Sequence, residues 1–293
     1  MNFLSKRPII MIIIGIIGIS VSSIFVRYST APAIVTAAFR LLCTSVLMTP
    51  YVFSKKEIRQ ELFAQNKKTI LLSILSGVFL ALHFGFMFEA LKHTSVASTT
   101  SIIATEVIWV SLGYCLVLKG KLSLKAGFIV IFTFLGSAII AFGDKGDAGH
   151  LYGDILALLA AIAVAVYMLI GNVVRKTTST SVYTYIVYIS GAIALVLTST
   201  ISGNNITKFG LSPLIVGLLL AVFSTIMGHT VFSWCLKYFT PSFVSTCKLL
   251  EPVVAAIIAS VLFKEFPGPH TIIGGVMILS GVYYYSRIEK LSE

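Results

Sequence analysis

The chain has 293 residues, 57% hydrophobic and only 11% charged, with a mean hydropathy of +0.97 and a formal net charge of +11. A soluble domain carries about 25% charged residues, and one core cannot hide this much apolar surface from water. The composition excludes an ordinary soluble enzyme or a nucleic-acid-binding domain and makes the lipid bilayer the expected partner, with the basic residues serving as topology signals.

Apolar runs long enough to cross a bilayer as helices, about 20 residues each, fall at 8–26, 32–53, 69–91, 94–118, 122–142, 152–174, 179–201, 212–236, 240–263 and 269–287. They lack the strict alternation of barrel strands. The predicted fold is therefore an all-α membrane protein of ten transmembrane helices. Pro8, Pro32, Pro213, Pro241 and Pro269 stand near run starts, where a missing N–H costs nothing.

Run one follows Lys6 and Arg7, but its apolar stretch is too long for a cleaved signal, so it reads as a retained helix. Its small residues Gly15, Gly18, Ser20, Ser22 and Ser23 suit close helix packing. Run two holds Arg40, which suits either a substrate carboxylate or a permanent glutamate partner such as Glu106. The polar connection Ser54–Lys68 reads as a solvated loop. Run three holds His83, a candidate proton relay or a backbone-bonded histidine, and Glu89, close enough to the run's end to reach the interface.

Glu106 is central in run four, with Trp109 on the same face; an aromatic there either packs or cages an organic cation. Asp144, Asp147 and Asp154 lie in or beside one connection, too few for a phosphate-handling enzyme. Tyr183, Tyr185 and Tyr188 open run seven, and an interfacial belt accounts for Tyr183. His229 in run eight raises the same question as His83. Lys248, Glu251 and Pro252 lie inside run nine; the lysine and glutamate are three apart on one face, and the proline frees the carbonyl of Lys248.

Ionisable residues at mid-membrane are costly, so Glu106, Glu251, Lys248, Arg40, His83, Trp109 and His229 form the candidate substrate and proton site. Two readings stay open for the carboxylates: proton or cation exchange, and structural ion pairing. Cys43, Cys115, Cys235 and Cys247 lie in apolar runs without a C-x-x-C pair, so no metal or redox site is expected. No phosphate-binding G-x-x-x-x-G-K-[ST] loop or H-E-x-x-H motif occurs, so neither ATP drive within the chain, a cofactor nor zinc catalysis is expected.

Orientation follows from Lys and Arg. With the N-terminus inside, inner segments hold Lys6, Arg7, Lys55, Lys56, Arg59, Lys67, Lys68, Lys119, Lys121, Lys125, Arg175, Lys176, Lys237, Arg287 and Lys290. Outer ones hold only Arg27, Lys92, Lys145, Lys208 and Lys264, so both termini are expected in the cytoplasm.

A shift of 145 residues places Leu91-Lys92 on Leu236-Lys237, Glu106 on Glu251, Lys119 on Lys264 and Gly136 on Gly281. The expected organisation is a repeat of five helices over 1–145 and a second over 146–293. An odd number of crossings inverts the second half, an arrangement of secondary transporters with midplane sites.

The segments Ala90-Leu91-Lys92-His93-Thr94-Ser95, Cys235-Leu236-Lys237-Tyr238 and Leu249-Leu250-Glu251-Pro252-Val253 resemble the EamA family of the drug/metabolite transporter superfamily. Ala38-Phe39-Arg40, Gly274-Gly275 and Ser280-Gly281-Val282-Tyr283 add to the resemblance, which spans nearly the whole chain. Val107, where the second half has Pro252, departs from it. The resemblance implies a carrier in the bacterial inner membrane, monomeric or homodimeric, moving a small organic metabolite by alternating access. A channel or lipid scramblase, and an intramembrane enzyme, are the weaker readings.

Overall fold

The computed structural model describes residues 8–26, 28–94, 99, 102–143, 151–204, 206–254, 257–258 and 268–289. Lys6, Arg7, Arg27, Ser95, Asp144, Lys145, Asp147, Lys264 and Lys290 lie outside them.

The described residues are helical, without strands. In order they form α1 (Pro8–Ser20), α2 (Ser22–Val26), α3 (Ala33–Ser54), α4 (Lys56–Phe63), α5 (Lys67–His93), α6 (Glu106–Leu116), α7 (Leu124–Gly143), α8 (Leu151–Val174) and α9 (Thr180–Ile201). Then α10 (Ser212–Leu219) runs through a π-helical stretch, Leu220–Thr230, into α11 (Val231–Cys235), followed by α12 (Pro241–Lys248) and α13 (Pro269–Ile288). Helices Ala33–Ser54, Lys67–His93, Leu151–Val174, Thr180–Ile201 and Ser212–Cys235 are each long and apolar enough to cross a membrane. Shorter apolar helices cover Ile9–Ser20, Ile102–Leu116 and Leu124–Ile140.

Local chemistry sets the helix starts. Asn66 accepts the Thr69 N–H, Ser179 the Val182 N–H, and Thr240 the Phe243 N–H, each capping a helix N-terminus. Pro213, Pro241 and Pro269 occupy first-turn positions.

Close packing relies on small residues. α5 lies along α8, whose Ala157, Ala160, Ala161 and Ala163 are buried. α1 lies against the π-helical stretch so tightly that a Cβ on Gly18 would stand 2.7 Å from the Phe223 carbonyl oxygen. This is the close packing expected of the small residues in run one. α7 and α13 pair along their length, with Gly136 against Gly274. Their outward faces, including Phe128, Ile131, Ile272 and Val276, are exposed apolar surface that lipid would cover.

Two expectations need correction. The connection Ser54–Lys68 is not a plain loop: it contains α4, which buries none of its residues. Its Glu61 accepts the Ser179 N–H at 2.6 Å, and the following Gln65 accepts from Thr178, tying the segment to the start of α9. Tyr183 is not in an interfacial belt: it is fully buried, with its hydroxyl 2.6 Å from that of Ser76 on α5. Arg175, one of the inner basic residues, is 3% exposed and donates to the carbonyls of Ser233 and Thr178. Burial lowers its guanidinium to about 10, which leaves it charged at neutral pH.

Candidate functional site

The mid-membrane glutamates both sit immediately after a break in their helix. Residues 102–104 are helical, Thr105 is a turn, and Glu106 begins α6. Thr105 reaches back to Ile102, its N–H at 3.0 Å and its hydroxyl at 2.6 Å from that carbonyl, a tight i to i−3 turn. In run nine α12 stops at Lys248; the N–H groups of Leu249 and Leu250 bond to Thr246 and Cys247, again i to i−3. Helix resumes at Glu251. Pro252 explains the second break, since its ring clashes with the preceding turn. The first occurs without proline, with the Thr105 hydroxyl competing for the backbone.

Lys248 donates to Glu106 Oε1 at 2.5 Å, across 142 residues of sequence. Both side chains are largely withdrawn from solvent, 12% and 5% exposed. The ion pair thus joins α12 to α6, in place of the expected Arg40–Glu106 pair or a Lys248–Glu251 pair along one helix. The second oxygen of Glu106 is buried without a hydrogen-bond partner.

Arg40 is 2% exposed and ion-pairs with no described carboxylate. Its Nε donates to the Thr225 hydroxyl at 2.9 Å and its Nη1 to Ser22 at 3.4 Å. Its guanidinium carbon lies 4.0 Å from the centroid of the Phe84 ring. Glu251 is close enough to interact electrostatically with Arg40, Lys248 and Glu106, and its side chain is only half-buried. The main-chain carbonyl of Glu251 accepts from Ser20 at 3.3 Å.

An aromatic wall surrounds the arginine. The Phe84 ring centroid lies 5.2 Å from His83 and 5.3 Å from His229, and Tyr167 stands 6.2 Å from His229. The two histidines differ. His83 Nδ1 donates to the Ala160 carbonyl at 2.9 Å, the backbone-bonded arrangement. His229 is 7% exposed and makes ring contacts within this cluster.

Trp109 does not join the group. It is 37% exposed, and its indole N–H returns to Thr105 at 3.2 Å. Glu89 is an end-of-helix residue, bridged to Lys92 at 2.9 Å and His93 at 3.3 Å, all substantially exposed. Cys43, Cys235 and Cys247 are buried, and no group of metal ligands occurs among the described residues.

Several residues at the centre carry no signal in the sequence. Thr225 and Thr230 are polar groups in an apolar run, five apart, and each hydroxyl bonds to a carbonyl five residues earlier. Thr230 also meets Tyr188 at 2.9 Å. The π-helical geometry puts both on the inner side. Phe84 looked like any other apolar residue of α5.

Apolar helices that bury charges and aromatics at their centre define a multi-span membrane protein of the transporter class. The sequence pattern of the EamA-like transporter family matches residues 6–142 and again residues 151–287, and the chain belongs to that family, within the drug/metabolite transporter superfamily. An uncharacterized transporter of Archaeoglobus fulgidus is 25% identical over 253 residues, 84% of this chain and 85% of its own. The uncharacterized transporter YxxF of Bacillus subtilis is 25% identical over 281 residues, 94% of this chain and 87% of its own. A solved crystal structure superposes with a TM-score of 0.77 over 97% of this chain and 99% of its own at 14% identity, which establishes a shared fold. Family and relatives point to a transporter rather than an enzyme.

Proposed function

We propose that the chain is a secondary carrier that moves a zwitterionic, amino-acid-like metabolite across the cytoplasmic membrane by alternating access, in the direction of export. Its site is the group Arg40, Glu106, Lys248 and Glu251. Ten helices in two inverted repeats, 1–145 and 146–293, with cytoplasmic termini, form the frame; two successive family matches and the paired helix breaks at Glu106 and Glu251 support it.

One observation carries the reading. Glu106 and Lys248 neutralise each other at 2.5 Å, while Arg40 and Glu251 interact without closing an ion pair. A buried arginine offers a carboxylate a two-pronged fork, and a nearby glutamate offers an ammonium its counter-charge. A ligand carrying both groups satisfies the pair at once. The Phe84–His229–Tyr167 wall supplies apolar contact for its side chain. Protonation of Glu251 alternating with substrate occupancy provides the coupling.

The test is a thermal-shift screen of the purified protein against amino acids, organic cations, nucleosides and sugars. A ligand at about 100 times its Kd adds about 2.7 kcal/mol of apparent stability. Selective stabilisation by an amino acid, lost in both Arg40→Gln and Glu251→Gln, is the expected result. A sugar or nucleoside hit that survives both changes would overturn the assignment.

A further inference from the structure

A second feature lies away from the central charges, on the outward side of the α7–α13 pair. The two helices run antiparallel: Gly136 meets Gly274, and Thr133 meets Gly281. That register brings the start of α7 beside the end of α13, so Lys125 and Arg287 stand at the same end. Beneath them is a groove of about 520 Å³ lined by Phe128, Ile129, Phe132, Gly281, Tyr284 and Ile288. Gly281 draws the helices together at Thr133 and leaves the flank open. Phe128 and Phe132 are 74% and 43% exposed, so their faces are free to be covered.

We propose that this groove is a binding site for an anionic phospholipid, with an acyl chain along Phe128 and Phe132 and the phosphate between Lys125 and Arg287. Positive charge at the mouth is joined to an apolar trough. From Lys125 to Phe132 the helix rises about 10 Å, the depth of the first half of an acyl chain. Neither cation is neutralised by a described carboxylate. Arg287 donates to the Tyr283 hydroxyl at 3.0 Å and lies 5.2 Å over its ring, which holds the guanidinium in place without supplying a counter-charge. The nearest acid along α13, Glu289, is occupied by the Thr240 N–H at 2.7 Å. Two cations without a carboxylate partner among the described residues, above a hydrocarbon-sized trough, match a lipid with a phosphate and no positive head. A zwitterionic lipid would place its own ammonium against them.

The experiment is native mass spectrometry of the full chain in detergent, with dioleoylphosphatidylglycerol and dioleoylphosphatidylcholine added in equal amounts. Two membrane-surface cations correspond to a preference for the anionic lipid of about thirty-fold. The expected pattern is that preference in the wild type and in Lys125→Arg/Arg287→Lys, and a ratio near one in Lys125→Gln/Arg287→Gln. Lys119→Gln/Lys121→Gln, which changes basic residues outside the groove, should keep it. No preference in the wild type, or a preference that survives Lys125→Gln/Arg287→Gln, overturns the proposal. So does a lipid-free dimer that the same double substitution splits into monomers, because a second copy would then occupy the groove.

Discussion

Lys248 donates to Glu106 at 2.5 Å, and this single ion pair ties the C-terminal end of α12 to the N-terminal end of α6. Two broken helices are thereby joined at their breaks. Removing one partner of a buried pair costs about 3–5 kcal/mol, because the other charge is left without compensation. Glu106→Ala and Lys248→Ala should each destabilise on that scale, and the double variant should lose less than the sum. Thermal unfolding of all four proteins in one detergent checks this. Additive losses would mean that the two side chains do not interact.

Arg40 should not tolerate lysine. Its planar group both donates to Thr225 and stacks over Phe84 at 4.0 Å, and an ammonium cannot do both in that geometry. Arg40→Lys is expected to abolish ligand-induced stabilisation while the protein still folds. Ligand titration followed by thermal shift reads the outcome; unchanged affinity would reduce Arg40 to a point charge.

Glycines should differ by what surrounds them. A methyl on Gly18 meets the Phe223 carbonyl at 2.7 Å, whereas one on Gly127 meets nothing within 4 Å. Gly18→Ala should cost about 1–3 kcal/mol from forced backbone shifts. Gly127→Ala, inside α7, should gain up to about 1 kcal/mol from helix propensity. Melting temperatures of the two variants should therefore move in opposite directions.

Glu289 supplies a pH prediction outside the membrane. Burial holds its carboxyl above the ordinary glutamate value, against the lowering effect of the Thr240 N–H it accepts. A carboxyl raised on folding binds more protons in the native state than in the unfolded chain, so its contribution falls as pH rises from the ordinary glutamate value through the raised one. Glu289→Gln should remove that downward slope and leave stability flatter over the same window. Unfolding measured upward from about pH 4, the ordinary glutamate value, checks it; an unchanged slope assigns the effect elsewhere.

The membrane character was readable from composition because charge is so scarce. Apart from α4, the described helices follow the apolar runs to within a few residues, and prolines marked several of their starts. What escaped was geometry that composition does not encode. Leu220–Thr230 has the residues of an ordinary apolar helix, so nothing announced its wider turns or the inward placing of Thr225. Pro252 advertised a break; Thr105 did not, since a threonine that competes with its own backbone looks like any other threonine. The ionisable residues were legible as a set because each is costly in lipid. Their partners were not: Lys248 bonds across to Glu106 instead of along its own helix to Glu251, a choice made by how helices are rotated against one another.

The seam at Val21, between α1 and α2, sits between Arg40 and Glu251. Ser20 on one side of it reaches the main chain of Glu251, and Ser22 on the other reaches the guanidinium of Arg40. Gly18, just before it, rests directly on the backbone of the stretch that carries Thr225. This short piece of chain is a common mount for groups contributed by three different helices. Any displacement of Arg40 therefore bears on the same short piece of chain that contacts the main chain of Glu251, so the two positions are linked through packing and not through charge alone.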